Sequence, residues 1–194
     1  MMARLSRLIK ITPVFVLVFM VGGCGYTTRS MVSSKYKTIY ITQFANKIDI
    51  TREADAGNKY KLYKPMLETD ITRSVINKFL LDGNLKPIKS ENADLVLKGE
   101  LVGFSRDPIM YSSDNTENVE EYRIYIRVDM SLWDKKTDTL IWEEKGFTGD
   151  FTYYTNFAIG NVTPKYSTND EPVSAAVSDL ARRIVERAVE QWSW

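Results

Sequence analysis

The stretch that decides the fold is Glu120-Glu121-Tyr122-Arg123-Ile124-Tyr125-Ile126-Arg127-Val128-Asp129-Met130-Ser131-Leu132-Trp133-Asp134. Tyr122, Ile124, Ile126, Val128, Met130 and Leu132 alternate with Arg123, Tyr125, Arg127, Asp129, Ser131 and Trp133. A period of two places alternate side chains on opposite faces of a strand. One face is apolar for six positions and must lie on a core. The other carries charges and aromatic rings, so the strand belongs to a sheet with only one covered face.

Its neighbours in sequence supply the sheet. Lys135-Lys136-Thr137-Asp138 makes a tight turn, and residues 139–151 return as a hairpin partner, with Leu140 and Trp142 on one face and Ile141 on the other. Residues 93–105 form a strand in which Leu95, Gly99, Leu97, Leu101 and Gly103 share one face and Val96, Lys98, Glu100 and Val102 the other. A fourth strand runs over 38–44, with Ile39 and Ile41 on its apolar side. Residues 84–88 form at most a short extended piece, because Pro87 removes a ladder donor. Three polar stretches read as loops: 46–63, 106–119 and 152–170, the last opening with Tyr153, Tyr154 and Phe157. These aromatics either contact a partner or fold back on the domain.

Two amphipathic helices cover the sheet. In residues 65–81, Leu67, Ile71, Val75 and Phe79 recur every four positions, Ile76 and Leu80 widen the stripe, and Asp82-Gly83 ends the helix. The second helix starts at Asp170, with Pro172 in its first turn, and buries Val173, Val177, Leu180, Ile184 and Ala188. The expected fold class is α+β: a two-layer sandwich of a mainly antiparallel four-stranded sheet with two helices packed on one face.

The N-terminus has a different purpose. Arg4, Arg7 and Lys10 precede an apolar run over 11–21, and Val21-Gly22-Gly23-Cys24-Gly25 follows. A basic start and a short apolar stretch make an export signal. The run is too short for a membrane-spanning helix, which needs about 20 residues. An apolar residue and two small ones before a cysteine resemble the lipobox of bacterial lipoproteins. Cleavage there leaves Cys24 as the acylated first residue, with palmitate among its chains. The alternative is an ordinary secretory signal followed by a chance cysteine, but Cys24 is the only cysteine in the chain. Gly25 rather than Asp after it resembles the outer-membrane case. The organisation expected is a lipoprotein signal over 1–23, a tether over 24–37 and one domain over 38–194.

Composition narrows the function. The chain has 194 residues and a net charge of +1; losing residues 1–23 with their three basic side chains leaves −2. That balance argues against nucleic acid as a partner, which rests on clustered positive charge. With no histidine, the commonest general base and metal ligand is missing. A lipid-anchored hydrolase would need a Ser-Lys pair or two converging carboxylates, and no spacing marks either. The pairs Glu120-Glu121 and Glu143-Glu144 point to opposite faces of their strands. The expectation is no enzyme, no cofactor and no metal.

The chain resembles the lipopolysaccharide-assembly lipoprotein LptE family. The resemblance runs from Cys24-Gly25-Tyr26 through Thr38-Ile39-Tyr40-Ile41 with Phe44-Ala45-Asn46, Leu67-Glu68-Thr69-Asp70-Ile71-Thr72, Ala93-Asp94-Leu95-Val96-Leu97-Lys98-Gly99-Glu100 and Glu121-Tyr122-Arg123-Ile124-Tyr125-Ile126 to the long last helix. It implies an outer-membrane lipoprotein on the periplasmic side, held by its acyl chains. It also implies two partners: a large LptD-like β-barrel that this chain plugs, and lipopolysaccharide on its way to the outer leaflet. The alternative is an auxiliary subunit of another lipid-transport or envelope-assembly complex. Phosphates and acidic sugars suit Arg and Lys, so the candidate contacts are Lys98, Arg106, Arg123, Arg127, Lys135 and Lys136. The plainer reading is a solvated face on which these residues pair with Glu100 and Asp129 across strands.

Overall fold

The computed structural model describes residues 35–48, 64–90, 92–111, 119–155 and 170–190. The export signal, Cys24, Phe157 and most of the tether and loops lie outside them. The elements are β1 (Thr38–Ile41), β2 (Ala45–Asn46), α1 (Leu67–Asp82), β3 (Lys86–Pro87), β4 (Leu95–Tyr111), β5 (Val119–Asp134), β6 (Thr139–Tyr154) and α2 (Asp170–Glu190).

The sheet is mixed and six-stranded, ordered β3-β1-β4-β5-β6, with β2 also paired to β4. This corrects the four-stranded, mainly antiparallel expectation. β4, β5 and β6 do form an antiparallel meander. β1, however, runs parallel to both β3 and β4, because α1 carries the chain back across the sheet between β1 and β3. β2 and β3 hold two residues each, too few to show a period. Pro87 fits because Ile88 resumes the ladder, its N–H donating to Ile39 O at 3.0 Å.

The apolar stripes meet as expected. Ile124, Ile126, Val128, Met130 and Leu132 of β5 are buried with Leu67, Ile71, Val75 and Phe79 of α1 and with Ala176, Leu180, Ala181, Ile184 and Ala188 of α2. α2 approaches β6 closely because residue 149 is glycine: a Cβ there would stand 2.6 Å from Leu180 Cα. Gly83 ends α1 with φ 78°, and its N–H donates to Phe79 O at 3.1 Å, the left-handed stop that glycine permits. Leu80 does not join the stripe; it is 58% exposed.

Two bulges overturn the face assignments. In β4 the register slips between Leu101, opposite Val128, and Gly103, opposite Arg127. Val102 is the extra residue, so Gly103 turns to the polar face and Phe104, 3% exposed, joins the core. In β6 the register slips at Ile141, so Trp142 stands opposite core residue Leu132 while Leu140 stands opposite Trp133. Leu140 and Trp142 therefore lie on different faces.

The stretches read as loops are partly strand. β4 continues to Tyr111 and β5 begins at Val119, while β6 continues to Tyr154. Tyr153 folds back: it is 6% exposed and stacks on Tyr122 with ring centroids 5.9 Å apart. Tyr154 points outward, 61% exposed.

Candidate functional site

The sheet face turned away from the helices is built by alternate residues of β4, β5 and β6. Lys98 and Arg127 are exposed on it and Arg123 is half-buried. Each is steered by a neighbour. Lys98 Nζ lies 4.8 Å from the centroid of the Trp133 ring, a cation–π contact. The Arg127 guanidinium lies over Gly103, where a Cβ would stand 2.8 Å from its Nε. Arg123 Nε donates to Thr152 Oγ1 at 2.8 Å and its Nη1 to the Tyr125 hydroxyl at 3.4 Å. The Tyr125 contact pushes the Arg123 pKa further up. The result is a row of oriented cations with donors left over for an anion.

The other three candidates go elsewhere. The Val102 bulge turns Arg106 to the helix side, opposite Ile124. There its guanidinium carbon stands 4.2 Å from the Tyr122 ring centroid and 5.2 Å from that of Tyr153. It does not share the face of Lys98, Arg123 and Arg127, against the expectation, and burial beside it pushes the Tyr153 hydroxyl up. Lys135 and Lys136 sit in the β5–β6 turn. Lys136 Nζ is bound to Asp94 Oδ1 at 2.7 Å, while Lys135 is exposed.

Around that turn lies a clasp that sequence reasoning missed. Asp94 Oδ2 accepts from Lys37 N, Thr38 N and Thr38 Oγ1 at 2.9, 3.1 and 3.0 Å. Asp134 Oδ2 accepts from Tyr36 OH at 2.7 Å and Lys35 Nζ at 2.9 Å, and its Oδ1 from Lys136 N and Thr137 N at 2.9 and 3.2 Å. The Lys136 ammonium beside Asp94 and the Tyr36 hydroxyl on Asp134 hold both carboxyls well below the usual range. Together they fasten the entry of β1 to the β5–β6 turn. The signal in the sequence was an aspartate at each strand end, which also reads as ordinary turn chemistry.

A groove of about 500 Å³ crosses the polar face, lined by Thr42, Gln43, Lys98, Glu100, Asp129 and Lys145 among others. Glu100 stands directly opposite Asp129. These are the converging carboxylates a hydrolase would use. Their surroundings do not suit that chemistry, which wants one carboxyl buried and kept protonated. Glu100 is exposed, Asp129 Oδ1 is committed to Gly146 N at 2.7 Å, and Lys98 and Lys145 line the same groove. The neighbours Glu143 and Glu144 part as expected: Glu143 lines the groove, while Glu144 binds Arg187 Nε at 2.6 Å. Among the described residues no group of three His, Cys, Asp or Glu side chains is placed to hold a metal, and no helix is long and apolar enough to cross a membrane.

Such a molecule is a two-layer α+β domain with a charged, aromatic sheet face turned away from its helices. Residues 36–192 match the family described as LptE: Lipopolysaccharide-assembly, and the chain belongs to it. No curated protein matches. Among solved structures, the chain is similar to the hypothetical protein CT253 from Chlamydia trachomatis, with 13% identity, 79% of this chain and 95% of that chain covered, and a TM-score of 0.48. It is similar to a minor lipoprotein from Acinetobacter baumannii, with 14% identity, 80% and 91% covered, and a TM-score of 0.45. It is also similar to PelC from Paraburkholderia phytofirmans, a dodecamer, with 10% identity, 84% and 95% covered, and a TM-score of 0.43. At these identities and TM-scores the likenesses carry no conclusion about function.

Proposed function

We infer that this protein is an outer-membrane lipoprotein, acylated at Cys24, that seats in a large LptD-like β-barrel and helps pass lipopolysaccharide to the outer leaflet. It works by binding, without turnover. Family membership carries this reading, and the row Lys98, Arg127 and Arg123 on the open sheet face supports it. A barrel lumen is wet, so a plug needs polar surface there, and lipopolysaccharide phosphates take charge-assisted hydrogen bonds from oriented guanidinium groups. Arg106, Lys135 and Lys136 have a smaller part in that contact, being stacked on tyrosines, at the turn tip, and bound to Asp94 respectively.

The test is purification of the acylated protein from native membranes, with mass identification of what accompanies it. A large β-barrel in near-equal amount supports the plug role, and acyl chains on the Cys24 peptide support the anchor. Arg123→Glu with Arg127→Glu should remove copurifying lipopolysaccharide while the fold survives. If only soluble or inner-membrane proteins accompany the chain, the plug role falls and the auxiliary-subunit reading replaces it.

A further inference from the structure

One end of the domain gathers what a lipid surface recognises. The register places Thr38 beside Lys86, Ile39 beside Leu95, and Leu95 beside Asp134. The entry of β1, the start of β3 and the β5–β6 turn therefore lie together, and the Asp94 and Asp134 clasp locks them. Lys37, Lys86, Lys89 and Lys135 are exposed there, and Lys35 and Lys136, also exposed, are ion-paired with Asp134 and Asp94. Of the described carboxylates at this end, Asp94 and Asp134 are turned into the clasp, which leaves Asp82 and Asp138 facing out. Three large apolar side chains protrude at the same end. Leu81 is 81% and Leu80 58% exposed in the last turn of α1, just ahead of β3, and Leu140 is 46% exposed beside the hairpin turn.

Leu80 and Leu81 lie next to each other beside Lys86 and Lys89 at the β3 edge, whereas Leu140 stands at the β6 edge of the same end. An exposed leucine pair beside lysines suits an interface with anionic lipid: apolar side chains enter the headgroup region while ammonium groups stay at the phosphates. The opposite end also exposes apolar residues, Ile109, Tyr111 and Tyr154, but among the described residues no comparable set of lysines surrounds them.

We propose that this end, led by Leu80 and Leu81 with the lysines beside them, docks on the anionic phospholipid leaflet that holds the anchor. The proposal rests on the acylation of Cys24. Lys35 lies eleven steps along the chain from Cys24, which at full extension reach about 36–40 Å. β4 alone has 17 residues, or about 56 Å at roughly 3.3 Å per residue. The tether thus keeps the lysine end near the bilayer at high effective concentration, so weak contacts suffice to hold it. Docking stands the long meander away from the leaflet, so it describes the anchored chain outside the barrel, before it seats there.

The experiment uses full-length protein purified with its own acyl chains and carrying one new cysteine, Leu81→Cys or Tyr154→Cys, with a nitroxide attached. Each is reconstituted into phosphatidylcholine vesicles with and without phosphatidylglycerol, and collision with lipid-dissolved oxygen is compared with collision with an aqueous nickel complex. The expected result is flotation of both proteins with the vesicles. The oxygen-to-nickel ratio at 81 should rise severalfold when phosphatidylglycerol is present, and the ratio at 154 should not change. Lys86→Glu, Lys89→Glu and Lys135→Glu together should return position 81 to water with flotation intact; an unchanged ratio overturns charge-driven docking. Flotation with position 81 aqueous in both lipids overturns docking and leaves the anchor standing. A label shielded from both reagents, with spin–spin broadening, puts a second copy at this end instead. Failure to float refutes the anchor and docking together.

Discussion

Replacing Asp134 by asparagine should loosen the end of the domain where the tether enters, and only while the native carboxyl is ionised. Asp134 is 2% exposed. It accepts four hydrogen bonds, from Lys35 Nζ, Tyr36 OH, Lys136 N and Thr137 N. An amide keeps one acceptor oxygen but turns an NH2 toward the donors on the other side, so about half of these contacts fail. Hydrogen bonds to a charged group contribute roughly 1.5–3 kcal/mol each, and neighbours in one network do not add fully. The expected loss is about 2–4 kcal/mol, or roughly 4–16 °C in Tm for a domain of this size. The Tyr36 hydroxyl and Lys35 hold the Asp134 carboxyl below its ordinary range. The stabilisation is therefore present at neutral pH and fades as pH falls below the unfolded value near ~3.9 toward the lower folded one. Asparagine does not titrate, so the difference between the two proteins should shrink with acidity. Urea unfolding of the detergent-solubilised proteins, followed by far-UV circular dichroism at pH 7, 5 and 3, measures it. An equal difference at pH 7 and pH 3, or one below about 0.5 kcal/mol at pH 7, would refute the reasoning.

Other substitutions separate packing from surface. Gly149→Val should cost at least about 1–3 kcal/mol, because the new side chain meets the α2 backbone at Leu180 rather than a movable tip. Gly103→Ala should change stability little, since only the flexible Arg127 side chain must move; chemical denaturation of the pair checks both. Asp179→Ala should expose the β6 edge. Asp179 Oδ2 accepts the Asp150 N–H at 3.2 Å and Asp179 also binds Arg183, which reaches Asp150, so hydrogen exchange at the Asp150 amide should accelerate while β4 amides stay protected. Thr72→Val should cost about 1–3 kcal/mol in thermal unfolding, because the Thr72 hydroxyl donates to Glu68 O at 2.7 Å and accepts Phe44 N at 3.0 Å.

The sequence by itself determined the elements with strong periods. The alternation in residues 122–132 became the buried face of β5, and the four-residue spacing of Leu67, Ile71, Val75 and Phe79 became the buried stripe of α1. A side-chain period is a local property, and burial enforces it wherever the run is long enough. The order of those elements also determined an α+β domain, and their combination with the motifs around them determined the family, which the match over residues 36–192 then showed.

Tertiary structure decided what no local period encodes. β1, β2 and β3 are short, and their parallel pairing to β4 and to each other depends on where α1 returns the chain. The bulge at Val102 decided the faces of Gly103 to Arg106, and the one at Ile141 parted Leu140 from Trp142. One extra residue inverts the side chains that follow it up to the next slip in register, which is why Arg106 left the polar face and Phe104 entered the core. The clasp was equally out of reach, because Tyr36 and Asp134 are 98 residues apart in the chain. Alternation is a property of neighbours in sequence, whereas register and the meeting of distant side chains depend on how the whole sheet closes.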